Sequence, residues 1–315
     1  MTQHRIAAVQ AAPKLFDRTE TLARFEHWLS EAKKDGADLV VFPESFLGGY
    51  PKGVDFGARV GSRDEPGRDL FRLYFENAFD PNGEAFSKVR SLVADAGINV
   101  VTGLMEPVGD TLHCAAATLN RQGDVIGWRR KLMPTAMERI IWGAGDGSTL
   151  NVAETDIGRV SATICWENYM PLLRMQHYEQ GTQIYAAPTV DDRDVWLPSM
   201  QMIALEGRCF VISACQYMTR ADVADDVSYD AIQGDEPNTV LIRGGSTIIS
   251  PFGKILAGPV YGQSTLVVAD IDMDEIARGK FDLDVAGHYA RPDILELKVD
   301  RTARLAPPPL KNRAP

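Results

Sequence analysis

Short apolar runs alternate along the chain with segments in which apolar residues recur every three or four positions. The alternation persists from residue 5 to about residue 271. Residues 5–11 (RIAAVQA) predict a first strand, and Leu22, Phe25, Leu29 and Ala32 then share one face of a helix. LVVF at 39–42 is a second strand, stopped by Pro43, and a Gly-rich loop follows to about residue 67. Helical patterns near 68–78 and 84–96 come next, the second ending at Gly97 as helices often do. INVVTGL at 98–104 and HCAAATLN at 113–120 predict neighbouring strands, and RQGD turns the chain into VIGWRRK. Residues 132–150, with Gly143, Gly145 and Gly147, predict an ordered loop. RVSATIC at 159–165 predicts a strand ending in Cys165, followed by a helix that accepts Pro171 in its first turn. Further strands are expected at 183–187, 210–215, 246–250 and 265–271, with a helix near 194–208. The acidic stretch 220–238 predicts a surface excursion, and the Pro-rich end a weakly ordered tail. Strands interleaved with helices specify an α/β fold, read as one domain over 1–290 and a tail over 291–315.

Three side chains stand where these runs end. Glu44 follows Val40, Val41, Phe42 and Pro43, and a carboxylate is costly to bury after so apolar a segment unless it has work to do. Its ordinary alternative is a helix cap or a salt bridge. Lys131 closes the cluster Arg129, Arg130, Lys131, which would otherwise read as a solvated face. Alternation puts Arg130 and Lys131 on opposite faces, so one can face solvent while the other points in. Cys165 could be inert packing, as unpaired cysteines often are. At the junction of a strand and a helix N-terminus it is expected to favour the thiolate. A thiol, an ammonium and a carboxylate together supply a nucleophile, an electrostatic clamp and a proton acceptor for attack on an electrophilic carbon. Glu138 and Glu167 are intermediate cases, and Cys114, Cys209 and Cys215 read as packing residues.

Composition narrows the picture. The 315 residues are 45% hydrophobic and 24% charged, with a formal charge of −10. No run of about 18 apolar residues could span a bilayer, and the acidic balance lacks the basic footprint of a nucleic-acid binder. The N-terminal residues enter a strand pattern without a secretory leader, so a cytoplasmic setting is expected. Four cysteines without a CxxC pair suggest reduced thiols. The five histidines lack HxH or HExxH spacing, so neither a metal nor any other cofactor is expected.

The surroundings of the three residues are more specific. FPESFLGGYPKG at 42–53, RRKLMPTAMERIIWGAGDGS at 129–148 and CWENYMPLLR at 165–174 together resemble the nitrilase branch of the carbon–nitrogen hydrolase superfamily. The resemblance extends over about residues 5–275. It implies a four-layer α-β-β-α sandwich, with Glu44 as general base, Lys131 as stabilising cation, Cys165 as nucleophile and Glu138 as an additional acid near the lysine. It also implies a homodimer or higher homo-oligomer, paired through the helix after the cysteine. Amidases of the superfamily usually follow the cysteine with Tyr-Asp. Trp166 and Glu167 stand here instead, as in enzymes acting on nitriles.

The implied substrate is a small organic nitrile, hydrolysed with water to the acid and ammonia. The backbone N–H of Trp166 would be a second donor to the developing charge. Tyr50, Trp142, Trp166, Thr189 and Trp196 are candidate substrate walls by their proximity to the signatures. Long spiral assemblies are not expected, because the region after about residue 290 is shorter than in filament-forming nitrilases. The competing readings are an aliphatic amidase or cyanide-degrading enzyme of the same superfamily and a papain-like hydrolase with His177 or His288 as base. A catalytically silent binding protein on this fold is the alternative from another class.

Overall fold

A computed structural model describes residues 3–310. The first half runs β1 (Gln3–Gln10), α1 (Arg18–Lys34), β2 (Leu39–Val41), α2 (Glu65–Glu76), α3 (Glu84–Ala96), β3 (Asn99–Val108), β4 (Thr111–Leu119) and β5 (Val125–Arg130). The second runs β6 (Ala153–Thr155), β7 (Gly158–Ala162), α4 (Pro171–Glu179), β8 (Ile184–Thr189), α5 (Trp196–Gly207), β9 (Phe210–Cys215), β10 (Tyr217–Thr219), β11 (Val240–Ile249), β12 (Ile255–Tyr261), β13 (Thr265–Asp272) and α6 (Asp274–Gly279).

Two mixed sheets result. One has the order β13-β1-β2-β3-β4-β5 and the other β10-β11-β9-β8-β7-β6, with β12 paired to β11. Strand β13 returns across the molecule to pair antiparallel with β1, so the last strand closes the first sheet. The period-2 pattern of the strands decides what lies on each side. Ile6 and Ala8 of β1, Leu39 and Val41 of β2, and Ile184, Ala186, Phe210 and Ile212 of the second sheet share a core between the sheets. Their neighbours Ala7, Val9 and Val40 pack outward against Phe25 and Leu29 of α1 and Phe86 and Val89 of α3. On the other side, Tyr185, Ala187 and Val211 pack under Trp196, Met200 and Ile203 of α5. Sheets apolar on both faces and helices apolar on one stripe give four layers, α-β-β-α. Asp17 caps α1 by accepting from the Glu20 N–H at 2.9 Å, and Gly97 ends α3 with a φ of 69°.

Several expectations differ from what folds. Strand β7 stops at Ala162, and Cys165 instead opens a short 3₁₀ turn, Cys165–Tyr169. Strands β6, β10 and β12 have no counterpart in the sequence reading. β12 carries Gly258 and Pro259 and lies half exposed, so its composition argues against a strand that the pairing with β11 supports. The acidic stretch 220–238 is a largely exposed surface segment, as expected, and is also tied to the body: the Tyr229 hydroxyl donates to Lys52 O at 2.6 Å and Ile232 N–H to Gly53 O at 3.1 Å. The Pro-rich end, where described, is held as well. Asp146 Oδ2 accepts from the N–H groups of Arg304 and Leu305 at 2.7 and 3.1 Å, and Arg130 donates to Ala306 O at 2.8 Å. Residues 311–315 of the expected tail lie outside the described residues. Among the described residues no helix is long and apolar enough to cross a membrane.

Candidate active site

Glu44 leaves the end of β2 on a loop pressed against β3. The approach needs Gly103: a Cβ there would lie 2.4 Å from Pro43 O and Ser45 N, which no side chain tolerates. Lys131 is the first residue beyond β5, held by hydrogen bonds from its N–H to Cys114 O at 2.8 Å and from Gly145 N–H to its own carbonyl at 2.7 Å. Its ammonium donates to Glu44 Oε1 and to Glu138 Oε2, both at 2.7 Å, with no exposure of the lysine side chain. The Trp142 ring lies 5.3 Å from the same nitrogen. Glu138 is itself fixed by three donors: Lys131, the Tyr50 hydroxyl at 2.8 Å and the Thr135 N–H at 2.6 Å.

Cys165 is buried, and its φ of 48° lies in the left-handed region that non-glycine residues rarely enter. The strained residue is held by Asn168, whose Nδ2 donates to Cys165 O at 2.7 Å and Thr163 O at 3.0 Å. Such strain persists only where the surroundings over-determine it, as at reactive positions. The Thr189 hydroxyl donates to Cys165 Sγ at 3.2 Å.

Electrostatics set the resting protonation. Burial raises the Glu44 carboxyl, Lys131 opposes that, Glu138 adds to it, and the balance falls at about 6. Burial alone would lower the Lys131 ammonium, but the Glu44 and Glu138 carboxylates outweigh it and raise the group well above its ordinary value. The lysine therefore keeps its charge. Burial raises the Cys165 thiol, the Glu44 charge raises it further, and Lys131 and Thr189 offset only part. This corrects the expectation of a thiolate stabilised by a helix N-terminus: a single 3₁₀ turn supplies too little dipole against burial and two carboxylates. The thiol rests protonated. Glu44 Oε2 has no hydrogen-bond partner of standard geometry among the described residues, and contact with the Cys165 thiol is among the influences lowering the Glu44 value. An undonated carboxylate oxygen beside a neutral thiol can take its proton as sulfur attacks.

The candidate wall residues separate. A cavity of about 230 Å³ is lined by Cys165, Tyr50, Glu138 and Trp166, and a neighbouring one of about 660 Å³ by Tyr50, Glu138 and Trp142. Thr189 touches the sulfur. Trp196 lines neither cavity; at the start of α5 it is buried against the second sheet, donating from Nε1 to Ser213 Oγ at 2.8 Å. Trp166 is 42% exposed, donates to Asp191 Oδ2 at 2.8 Å and lies under the Arg193 guanidinium at 4.7 Å. His177 lies on the buried face of α4, its imidazole lowered to about 3 chiefly by burial, and His288 is exposed with a ring nitrogen 3.0 Å from Lys280 O. Neither histidine lines the cavity that holds Cys165. Among the described residues no group of three or more His, Cys, Asp or Glu is placed to hold a metal.

Three features escaped sequence reasoning. Glu167, fully buried, accepts from Arg129 at 2.6 Å, Leu132 N–H at 2.7 Å and Ile164 N–H at 3.3 Å. One carboxylate thus ties the residue after Lys131 to the residue before Cys165. Arg130, expected to reach solvent if Lys131 points in, is also buried, paired with Glu106 at 2.6 and 2.7 Å. Cys114, read as inert packing, lies with its sulfur 3.7 Å from Glu44 Oε1. The buried position of Glu106 on β3, two strands from Arg130, gave no local signal for the pairing.

Comparison with known proteins places this arrangement. A family profile described as carbon-nitrogen hydrolase matches residues 5–281. A nitrilase of Bradyrhizobium diazoefficiens is 51% identical over 94% of this chain and 92% of its own length. An aliphatic nitrilase of Sinorhizobium fredii is 46% identical over 97% and 98%. The crystal structure of the C. elegans NitFhit protein superposes with a TM-score of 0.72 at 18% identity, covering 95% of this chain and 68% of that one, a likeness of fold. With the two-sheet sandwich and the extent of these matches, the chain belongs to the nitrilase branch of the carbon–nitrogen hydrolase family.

Proposed function

We propose that the protein is a nitrilase, converting an organic nitrile and two waters to the carboxylic acid and ammonia. The observation that carries the reading is the pair of 2.7 Å ion pairs by which buried Lys131 joins buried Glu44 to Glu138, which lines the same cavity as Cys165. Glu44 accepts the thiol proton as sulfur bonds to the nitrile carbon, and the nitrogen takes up that proton, giving a thioimidate. Lys131 stabilises the charge developing on nitrogen. The Trp166 N–H, one of the unpaired donors at the start of its turn, is a second stabiliser. Water adds to the same carbon as Glu44 takes one of its protons and passes it to nitrogen; the remaining hydroxyl proton follows by way of the same carboxylate, so the carbon–nitrogen bond breaks with nitrogen leaving as ammonia and the carbon remaining as a thioester. A second water cleaves the carbon–sulfur bond, and the sulfur recovers its proton. Tyr50 and Thr135 keep Glu138 facing Lys131, so the ammonium stays aimed at the reacting nitrogen in the first half-reaction and at the developing oxyanion of the thioester in the second.

Trp166 followed by Glu167 favours nitriles over amides, and the buried, inaccessible histidine His177 speaks against a papain-like base. A cytoplasmic homodimer or larger homo-oligomer belongs to the same reading; Leu172 on α4 and Met202 on α5, 70% and 56% exposed, are apolar surface that a second subunit would cover. The test is ammonia and acid release from a panel of nitriles and their matching amides. Cys165→Ala should abolish both products in a folded protein; retained release would reject the assignment, and faster turnover of the amides would move the enzyme to the amidases.

A further inference from the structure

One side of the cavity that holds Cys165 is walled by residues 190–193, the turn that follows β8. Asp191 is the buried member of this turn, its side chain 3% exposed. Its Oδ1 accepts from the N–H and Nε of Arg193 at 3.1 and 2.8 Å, and its Oδ2 from Arg193 Nη2 at 2.5 Å and Trp166 Nε1 at 2.8 Å. The bonds from Arg193 close a local turn, as an aspartate does with the N–H two residues on. The bond from Trp166 has no such local reason. It ties the turn to the residue directly after the nucleophile, and the Arg193 guanidinium lies 4.7 Å over the face of the same indole. Burial would raise the Asp191 carboxyl, but the bonds from Arg193 and Trp166 outweigh it and hold the group below its ordinary value. The backbone of Asp191 makes a second connection, its N–H donating to Thr189 Oγ1 at 2.9 Å. A hydroxyl that accepts there still has one proton to give, and Cys165 Sγ at 3.2 Å receives it. The sulfur then turns its own proton elsewhere, and Glu44 is the carboxylate in contact with it.

We propose that Asp191 is the positioning residue of the nucleophile turn: bonded to Trp166 and to Thr189, it fixes the direction of the Trp166 N–H and aims the Thr189 proton at the sulfur, which leaves the thiol proton facing Glu44. The inference rests on the nitrilase reading for the substrate, but its effect on the thiol can be read without turnover. Asp191 reaches the sulfur through Thr189 and the peptide after the cysteine through the indole. Such a hold is needed because Cys165, with its φ of 48°, sits in a conformation the chain would otherwise relax. A donor aimed at developing charge is worth about 10²–10³ in turnover, so losing its aim is felt in the transition state rather than in substrate binding.

The test is a double-mutant cycle on the full-length protein, read in two ways. Asp191→Ser can still close the turn onto the Arg193 N–H but cannot reach the indole, Asp191→Asn keeps an oxygen for Trp166 Nε1, and Trp166→Phe keeps a ring without the donor. With the nitrile turned over fastest in the panel above, Asp191→Ser should lower kcat by about 10²-fold and move KM by less than about threefold, and Asp191→Asn should stay within about tenfold of wild type. Added to Trp166→Phe, Asp191→Ser should cost at least about tenfold less than it does alone, since both remove one bond. A loss confined to KM, an asparagine no better than serine, or additive losses would each overturn the proposal. The second reading is the rate at which iodoacetamide alkylates Cys165 with no nitrile present, followed by mass spectrometry. It should fall about tenfold in Asp191→Ser and recover in Asp191→Asn, and an unchanged or faster rate in Asp191→Ser overturns the proposal as well. Failure to release ammonia from any nitrile, with the slowed alkylation and its recovery retained, instead sinks the nitrilase reading and leaves the role of Asp191 standing.

Discussion

Residues 130 and 131 are neighbours in sequence, equally buried, and electrostatically opposite in design. Arg130 meets one carboxylate, Glu106, through two hydrogen bonds, while Glu106 also accepts from Trp128 Nε1 at 3.0 Å and Arg130 donates to Ala306 O. Charge is matched one to one. Lys131 faces two carboxylates and two thiols, and one oxygen of Glu44 has no donor of standard geometry. A balanced, hydrogen-bonded pair is a structural strut; burial, with a second carboxylate sharing the one ammonium, leaves Glu44 as a base at about 6. The difference shows that burial of charge alone does not mark a reactive site. What marks it is charge left incompletely matched.

The largest effect expected is at Lys131. Lys131→Met strands two buried carboxylates, so unfolding in urea should show a loss of about 3–5 kcal/mol, and ammonia release from nitriles should fall by about 10⁴-fold or more. Wild-type stability in that variant would mean that the carboxylates are already neutral, and the contrast with Arg130 would collapse. Arg130→Met should cost a similar ~3–5 kcal/mol while leaving kcat of the folded fraction within about tenfold, because its partner is remote from the cavity. The double variant Arg130→Met with Glu106→Leu should recover most of that stability, since an apolar pair replaces a strut without stranding a charge. No recovery would show that the strut acts through the C-terminal segment that Arg130 also holds.

A smaller effect concerns pH. Glu44 must be ionised to accept a proton, so kcat/KM should rise with pH through an acid limb near 6. Its folded-state value lies above that of an unfolded carboxyl, so between about 4.5 and 6 the folded protein holds more protons than the unfolded one. Stability from this group therefore falls as pH rises through that window, by about 2 kcal/mol in all. Glu44→Gln should remove both the acid limb, along with most activity, and that decline in stability. An acid limb at an ordinary carboxylate value would place the base elsewhere.

Much of the fold was legible because strand and helix periods are local properties. Helix α3 spans Glu84–Ala96 as its spacing predicts, and β1, β4, β9 and β13 lie within two residues of the expected runs. The misses differ in cause. The three-residue edge strands β6 and β10 carry little apolar pattern and exist because a neighbour offers a ladder to pair with, while Gly258 and Pro259 mask β12. Cys165 was displaced from a strand end to a strained turn by side-chain bonds from Asn168, which no period encodes. Trp196 stood near the signatures in sequence, yet helix α5 turns it into the core behind β8 and β9.

The chain alone determined the alternation of buried strands with amphipathic helices and the identity of Glu44, Lys131 and Cys165 as chemical outliers, because hydrophobic period and residue type are written locally. Only the tertiary structure decided that Glu167 binds the two reactive segments together, that burial raises the Cys165 thiol above its ordinary value and that Ile232 of the acidic stretch lines the larger cavity. Those outcomes depend on distances between residues far apart in sequence and on the removal of water around them, and neither exists until the sheets have packed.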